Sequence, residues 1–383
     1  MGYLSNATVN RLNLHYGIHA LASNAGAVFF AVYLLKAGVP VPLVLVSIAA
    51  ILGGRFLIRP SLLGLGVRFG LRPLVIAGNL LGACQYPLLA AVHGVGFALL
   101  SLIAVSSLSD TIYWTCYHAY FASLGDAEHR GQQVGARETL VAGASIVGPL
   151  AGGFGLAHFS AWGTFGLVAL VQFLSAWPLF GAPNVKVAPD VAWSYRGARQ
   201  GILMFAADGW MSSSHNFVWP LALFISLGEN FTVFGGALAL AALVGAVSGL
   251  LLGRHIDAGH GSRAVWWACG GQILGFVLCA AGAAHGEWAI AANAVWAMTT
   301  CLYTPTLMTS IYNQAKRAPC VLRFHIATEG GWDAGCASGC LCAAALAYVG
   351  GRLPEIMLLG MLGVTWAFFL LRRYYKAVGI GLN

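Results

Sequence analysis

"RETLVAGASIVGPLAGG" (Arg137–Gly153) sets a cation and an anion side by side and then continues for fifteen residues without another charge. A helix on the surface of a soluble protein keeps a polar face opposite its apolar stripe. This stretch has none, since only Thr139 and Ser145 interrupt it with polar side chains. Extended to 133–156, it is long enough to cross a bilayer as a helix. In hydrocarbon only a structure that satisfies its own backbone can span, so environment and secondary structure are decided together.

The rest of the chain has the same character. Of 383 residues, 59% are hydrophobic and 8% charged, and the mean hydropathy is +0.77. Soluble domains carry about 25% charged residues, and a soluble fold of this size could not cover its surface with so few. The net charge of +8 is scattered in short clusters between apolar runs, with no basic face interleaved with aromatics, which argues against nucleic acid as a partner. Most of the nine cysteines lie inside apolar runs (Cys84, Cys116, Cys279, Cys301, Cys336), where a thiol packs as a small apolar group. Neither CxxC nor metal-finger spacing occurs. The first apolar run, from about Asn13 to Leu35, is too long for a signal-peptide core and is read as an uncleaved first span.

Twelve candidate spans follow, at 13–36, 40–58, 74–92, 97–121, 133–156, 164–182, 201–227, 233–252, 265–284, 288–314, 324–349 and 355–371. With both termini inside, eighteen of the twenty Lys and Arg fall on the cytoplasmic side, leaving Lys36 and Arg352 outside. The longest connection, 183–200, lies near the midpoint. The expected architecture is an all-α polytopic membrane protein of twelve transmembrane helices in two pseudo-symmetric six-helix bundles. Residues 1–182 and 201–383 form the bundles, and 183–200 is a cytoplasmic linker.

An internal repeat supports the halving. An offset of 191 places Gly70 on Gly261, Arg72 on Arg263, Glu138 on Glu329 and Gly148 on Gly339, and 190 places Tyr113 on Tyr303 and Asn24 on Ser214. Duplicated helical halves are a recurrent transporter architecture, with the substrate site at their interface.

On these features the sequence resembles the major facilitator superfamily over its whole length. "GRHIDAGHGSR" (Gly253–Arg263) is similar to the family's loop after span 8, and "GLGVRFGLR" (Gly64–Arg72) to the equivalent loop after span 2. The second keeps Arg68, Gly70 and Arg72 but has Val67 where the family usually has Asp. The resemblance implies gating roles for Arg68, Gly70, Arg72, Gly253, Asp257, Gly261 and Arg263. "GPLAGG" (Gly148–Gly153) matches the core of the family's antiporter-associated span 5 motif. Its small residues Gly148, Gly152 and Gly153 permit close helix approach, and Pro149 permits a bend. Tight packing alone and an antiport-specific role are both open readings of it.

An ionisable side chain at membrane depth costs about 2.5–3.5 kcal/mol on insertion scales and is a functional candidate by default. Five acids qualify as proton-coupling candidates: Asp110, Glu138, Asp208, Glu329 and Asp333. Glu329 and Asp333 are four apart and share a helix face. Two carboxylates brought together out of water do not both stay ionised cheaply, which suits a proton carrier. Helix–helix hydrogen bonding is the plainer reading of each. Arg137 is expected to reach a substrate anion or to snorkel to the cytoplasmic surface. Adjacent residues point about 100° apart on a helix, so Arg137 and Glu138 are not expected to pair with each other.

Asp110, Tyr113, Trp114 and Tyr117 make one stripe of span 4. In the resembled fold spans 1, 4, 7 and 10 line a central cavity, so Asn24, Tyr113, Tyr117, His118, Trp210, His215 and Tyr303 are substrate-binding candidates, joined by Arg137 of span 5 for its reach toward a substrate anion. Such a cavity suits an amphipathic organic ligand. His15, His19, His118, His215 and His325, with Cys336, Cys340 and Cys342, invite a metal reading, but hydrogen-bonded helix contacts explain lone histidines more simply, and no metal site or cofactor is assigned. Together these features imply a monomeric secondary active carrier in a bacterial inner membrane, with a small-molecule substrate, protons and the lipid bilayer as partners and proton-coupled efflux as the function. Proton-coupled uptake of an organic acid, sugar, metal or metal chelate is the alternative, as is a non-transporting receptor, which Val67 favours. No nucleophile–base pair or phosphate loop suggests an enzyme.

Overall fold

The computed structural model describes residues 6–124, 130–189, 195–256 and 261–380. These residues form twelve helical rods and no strand. In chain order they are α1 (Ala7–Lys36), α2 (Val41–Phe69), α3 (Leu71–Ala90), α4 (Phe97–Leu124), α5 (Arg130–His158) and α6 (Ala161–Gly181), then α7 (195–226), α8 (Phe231–Ile256), α9 (Gly261–Gly282), α10 (Gly286–Arg317), α11 (Val321–Tyr348) and α12 (Leu353–Ala377). Among the described residues nine of these rods are long and apolar enough to cross a membrane. The three that fall short, α7, α10 and α11, hold Asp208, Asn293, Glu329 and Asp333.

The outward surface is apolar. Phe97, Trp177, Leu250 and Trp267 are each more than two-thirds exposed, an arrangement that water penalises and lipid does not. The chain is a multi-pass membrane protein.

Two compact units divide it: Met1–Val39 with Gly54–Ala192, and Pro40–Gly53 with Trp193–Asn383. Their internal packing repeats. In the first, α1 packs on α5 and α6, α3 on α4 and α6, and α2 on α4. In the second, α7 packs on α11 and α12, α9 on α10 and α12, and α8 on α10. The first helix of each set is broken at the same level. In α1 the α-helix ends at Ala25 and a 3₁₀ turn covers Ala27–Phe29, while in α7 a π-turn covers Ser214–Val218. The offset of 190 that aligns Asn24 with Ser214 lays these breaks over one another.

The α1–α5 and α7–α11 seams are made by small residues. A methyl group on Gly148 would meet Asn24 Cβ at 2.6 Å, and one on Gly152 would run into the Ala25 carbonyl. One on Gly331 would meet the Ile202 carbonyl at 2.5 Å, and one on Gly335 would overlap that of Ala206. Such close approach gives helices van der Waals contact that lipid cannot replace.

Helix α2 continues well past the expected end at residue 58, through a 3₁₀ turn at Arg59–Ser61, to Phe69. The reversal into α3 falls on Gly70, whose φ of 82° and ψ of 175° are a region other residues avoid. Asn184 caps this corner, donating to the Phe69 carbonyl (2.8 Å) and accepting from the Arg72 amide (3.2 Å). The Arg72 guanidinium donates to the Ala182 carbonyl at 2.8 Å, and Tyr120 to that of Pro183. Arg72, expected to gate, fastens the exit of α6 to the start of α3. Gly70→Ala forces both strained backbone and a clash with Asn184. It is expected to cost about 1–3 kcal/mol, seen as a lowered melting temperature of purified protein, with Gly64→Ala, a helical position that meets only open space, as the control that does not destabilise.

Candidate functional site

In the first unit the candidates gather where α1, α4 and α5 meet. The i, i+4 histidines His15 and His19 turn inward on α1 and are buried. Tyr113 donates its hydroxyl to His15 Nε2 (2.9 Å), because His15 Nδ1 is committed to the Ser175 carbonyl (2.7 Å). The Tyr113 ring stacks on His19 at 4.2 Å. His19 in turn takes a hydrogen bond from Gln172 Nε2 (2.8 Å), which also reaches Asn79 Oδ1 (2.7 Å). Tyr117 is fully buried and stacks on Tyr16 at 4.8 Å, and His118 stacks on Trp114 at 5.8 Å. Asn24 lies apart from these rings, its amide donating to the Ala20 carbonyl and its Cβ against Gly148.

Arg137 does not snorkel. Its guanidinium lies over the rings of Phe121 (4.8 Å) and Tyr16 (5.3 Å), and its side chain is 15% exposed. It also pairs with its neighbour: Nε and Nη2 donate to Glu138 Oε1 at 3.1 and 2.6 Å. That corrects the expectation from helix geometry. The Cα–Cβ bonds diverge, but the two long side chains curl toward each other across the roughly 100° between neighbours. Glu138 is 55% exposed, whereas Glu329, its repeat partner, is half-buried. The offset that joins them in sequence does not give them the same surroundings.

Asp110 belongs to a separate polar cluster. It accepts from Gln85 Nε2 (3.1 Å) and lies 4.0 Å from Arg55. One turn on, Arg59 is 1% exposed and donates to Thr115 at 2.5 Å. Arg55 falls within the expected span 40–58 and Arg59 one residue past its end, and both are inside α2.

In the second unit the acids converge on α7 and α11. Asp208 accepts from the Trp332 indole at 3.0 Å, and buried Tyr303 of α10 lies beside the same carboxylate. Asp333 is fully buried. His325, Glu329 and Asp333 follow at i, i+4 and i+8 along one face of α11. His215 sits in the π-turn, 4.5 Å from Trp296. Trp210 is tied by its indole to the Leu359 carbonyl (2.9 Å), a helix-to-helix fastening to α12. Of the loop residues, Arg263 is exposed, Gly253 and Gly261 are described as helical backbone, and Asp257 lies outside the described residues. Among the described residues no group of three metal-binding side chains forms.

No protein-family model and no curated protein matches the sequence. Solved structures do. A proton-dependent oligopeptide (POT) family transporter is similar at TM-score 0.75 and 11% identity, over 94% of this chain and 100% of its own. The human organic anion transporter MFSD10 (TETRAN) is similar at 0.71 and 16%, over 95% and 99%. A bacterial homologue of the iron transporter ferroportin, in an inward-facing state, is similar at 0.67 and 15%, over 96% and 98%. This is the major-facilitator fold. At these identities the likeness is one of fold, and the major-facilitator scaffold leaves the choice of solute to the side chains described above.

Proposed function

We propose that the chain is a secondary active transporter that moves a small organic solute across a bacterial cytoplasmic membrane by alternating access, driving efflux with protons. The observation that carries this reading is the pairing, on one major-facilitator scaffold, of an aromatic–histidine–Arg137 cluster in the first unit with a buried acid set in the second. Aromatic walls with few polar groups suit an organic solute. Carboxylates retained inside α7 and α11 against the insertion cost suit proton carriage. Twelve spans, cytoplasmic termini, and halves at 1–182 and 201–383 about the linker 183–200 complete the reading. "GPLAGG" in α5 favours efflux over uptake.

Ligand stabilises the protein that binds it, so a thermal-shift screen of detergent-purified protein against drugs, sugars, organic acids and divalent metals comes first. A ligand found there is then tested for ligand-dependent proton movement in proteoliposomes. Glu329→Gln and Asp333→Asn are expected to keep the thermal shift and reduce proton movement to background. Undiminished proton movement in both would remove α11 from the coupling mechanism.

A further inference from the structure

Arg137 is held in a way that an anchoring residue has no need of. An arginine that steadies a helix end reaches for water and headgroups. This one is drawn in until its guanidinium carbon lies over Phe121 and Tyr16, and Tyr16 is backed by the parallel ring of Tyr117, 11° from coplanar. Trp114 meets Tyr16 edge-on at 6.3 Å. The guanidinium is thereby held beside aromatic rings, with Nε and Nη2 left to donate. What occupies the edge is a carboxylate, since two N–H groups converge on Glu138 Oε1.

Glu138 is a poor permanent partner. It comes from the adjacent residue, so the contact requires both side chains to bend back, and its own side chain is exposed. Holding two long side chains in one bent geometry costs side-chain freedom, which offsets part of what the pair contributes. An external carboxylate bears no such constraint, and it can present both oxygens to the fork in the bidentate manner arginine favours. A flat ring attached to it adds contact with Tyr16 and Trp114. A neutral ligand gains nothing from displacing Glu138, and a cation meets Arg137.

We infer that this corner of the first unit binds an aromatic carboxylate, and that Glu138 is the internal carboxylate which the ligand displaces from Arg137. The inference rests on the reading of the chain as a carrier of organic solutes and names the class of solute. Glu138 becomes a competitor, and its side chain, already exposed, needs no cavity to move into when displaced.

The test is calorimetric titration of the purified full-length protein with 2-naphthoate and with its neutral isostere 2-naphthamide. Naphthoate is expected to bind and naphthamide not. Glu138→Gln, which removes the competing charge at an exposed position, is expected to tighten naphthoate about fivefold or more. Arg137→Lys keeps the charge but loses the planar fork and is expected to weaken it about tenfold or more. Equal binding of the amide, or Glu138→Gln without tightening, overturns the inference. Should Arg137→Lys fail to fold, Glu138→Gln decides the matter alone. Naphthoate binding without proton movement would sink the carrier reading and leave this one. Flux of a neutral or cationic solute through a protein that does not bind naphthoate would do the reverse.

Discussion

Gly335→Ala is expected to destabilise the protein by about 3 kcal/mol, at the upper end of what overpacking a tight interior costs, and Gly335→Val to leave no monodisperse protein on size exclusion. The added methyl would overlap the Ala206 carbonyl of α7, and that oxygen belongs to a helix backbone. A flexible side chain could swing aside, but a backbone carbonyl moves only if the helix moves. Gly331 and Gly339 on the same face meet Ile202 and Ser213, so α7 cannot slide along α11 to relieve the strain. Gly152→Ala is expected to act with the same sign, because its methyl would strike Ala25 and Phe29 of α1. Gly143→Ala is the control. It lies in the same apolar run of α5 but faces open space, where alanine is about 1 kcal/mol better than glycine in a helix. Thermal melting of the purified variants measures all three. A neutral Gly335→Ala would mean that the two helices are not held at this distance.

The stretch Arg137–Gly153 shows both how far the sequence could be read and where it could not. Its apolar run announces a spanning helix, and its glycine spacing announces close packing, because hydropathy and small-residue patterns are local properties. The offset of 191 likewise anticipates matched seams, since Gly148 and Gly339 lie on equivalent helices. The same offset misleads about Glu138 and Glu329. Exposure depends on what the other helices cover, which no spacing records. The end of the second span was set too early for a related reason: hydropathy falls at Arg59, yet the helix continues past it and Thr115 accepts from its guanidinium. The network of His15, His19, Asn79 and Gln172 needed three helices to assemble. The only signal in the sequence was the i, i+4 spacing of the two histidines, and the similar signal from His325 to Glu329 and Asp333 was overlooked because a histidine alone reads as a helix contact.

Asp208→Asn is expected to abolish proton-driven substrate flux while leaving substrate counterflow intact. Asparagine has nearly the shape of aspartate and keeps a carbonyl oxygen for the Trp332 indole, which donates to Asp208 at 3.0 Å. The α7–α11 contact through the indole therefore survives, and the new amide N–H can be taken by the Tyr303 hydroxyl oxygen. Only the ability to bind and release a proton is lost. Counterflow exchanges labelled for unlabelled solute through the same alternation of states and needs no net proton movement, so it reports binding and rocking without coupling. Proton-driven flux needs a group that loads on one side and unloads on the other. Tyr303, beside the same carboxylate, offers a second variant: Tyr303→Phe removes a hydroxyl near Asp208 but no charge, and is expected to shift the pH dependence of flux without abolishing it. Parallel loss of flux and counterflow in Asp208→Asn would make the residue a binding group. Flux undiminished would free α7 of any part in coupling and leave that role to Glu329 and Asp333.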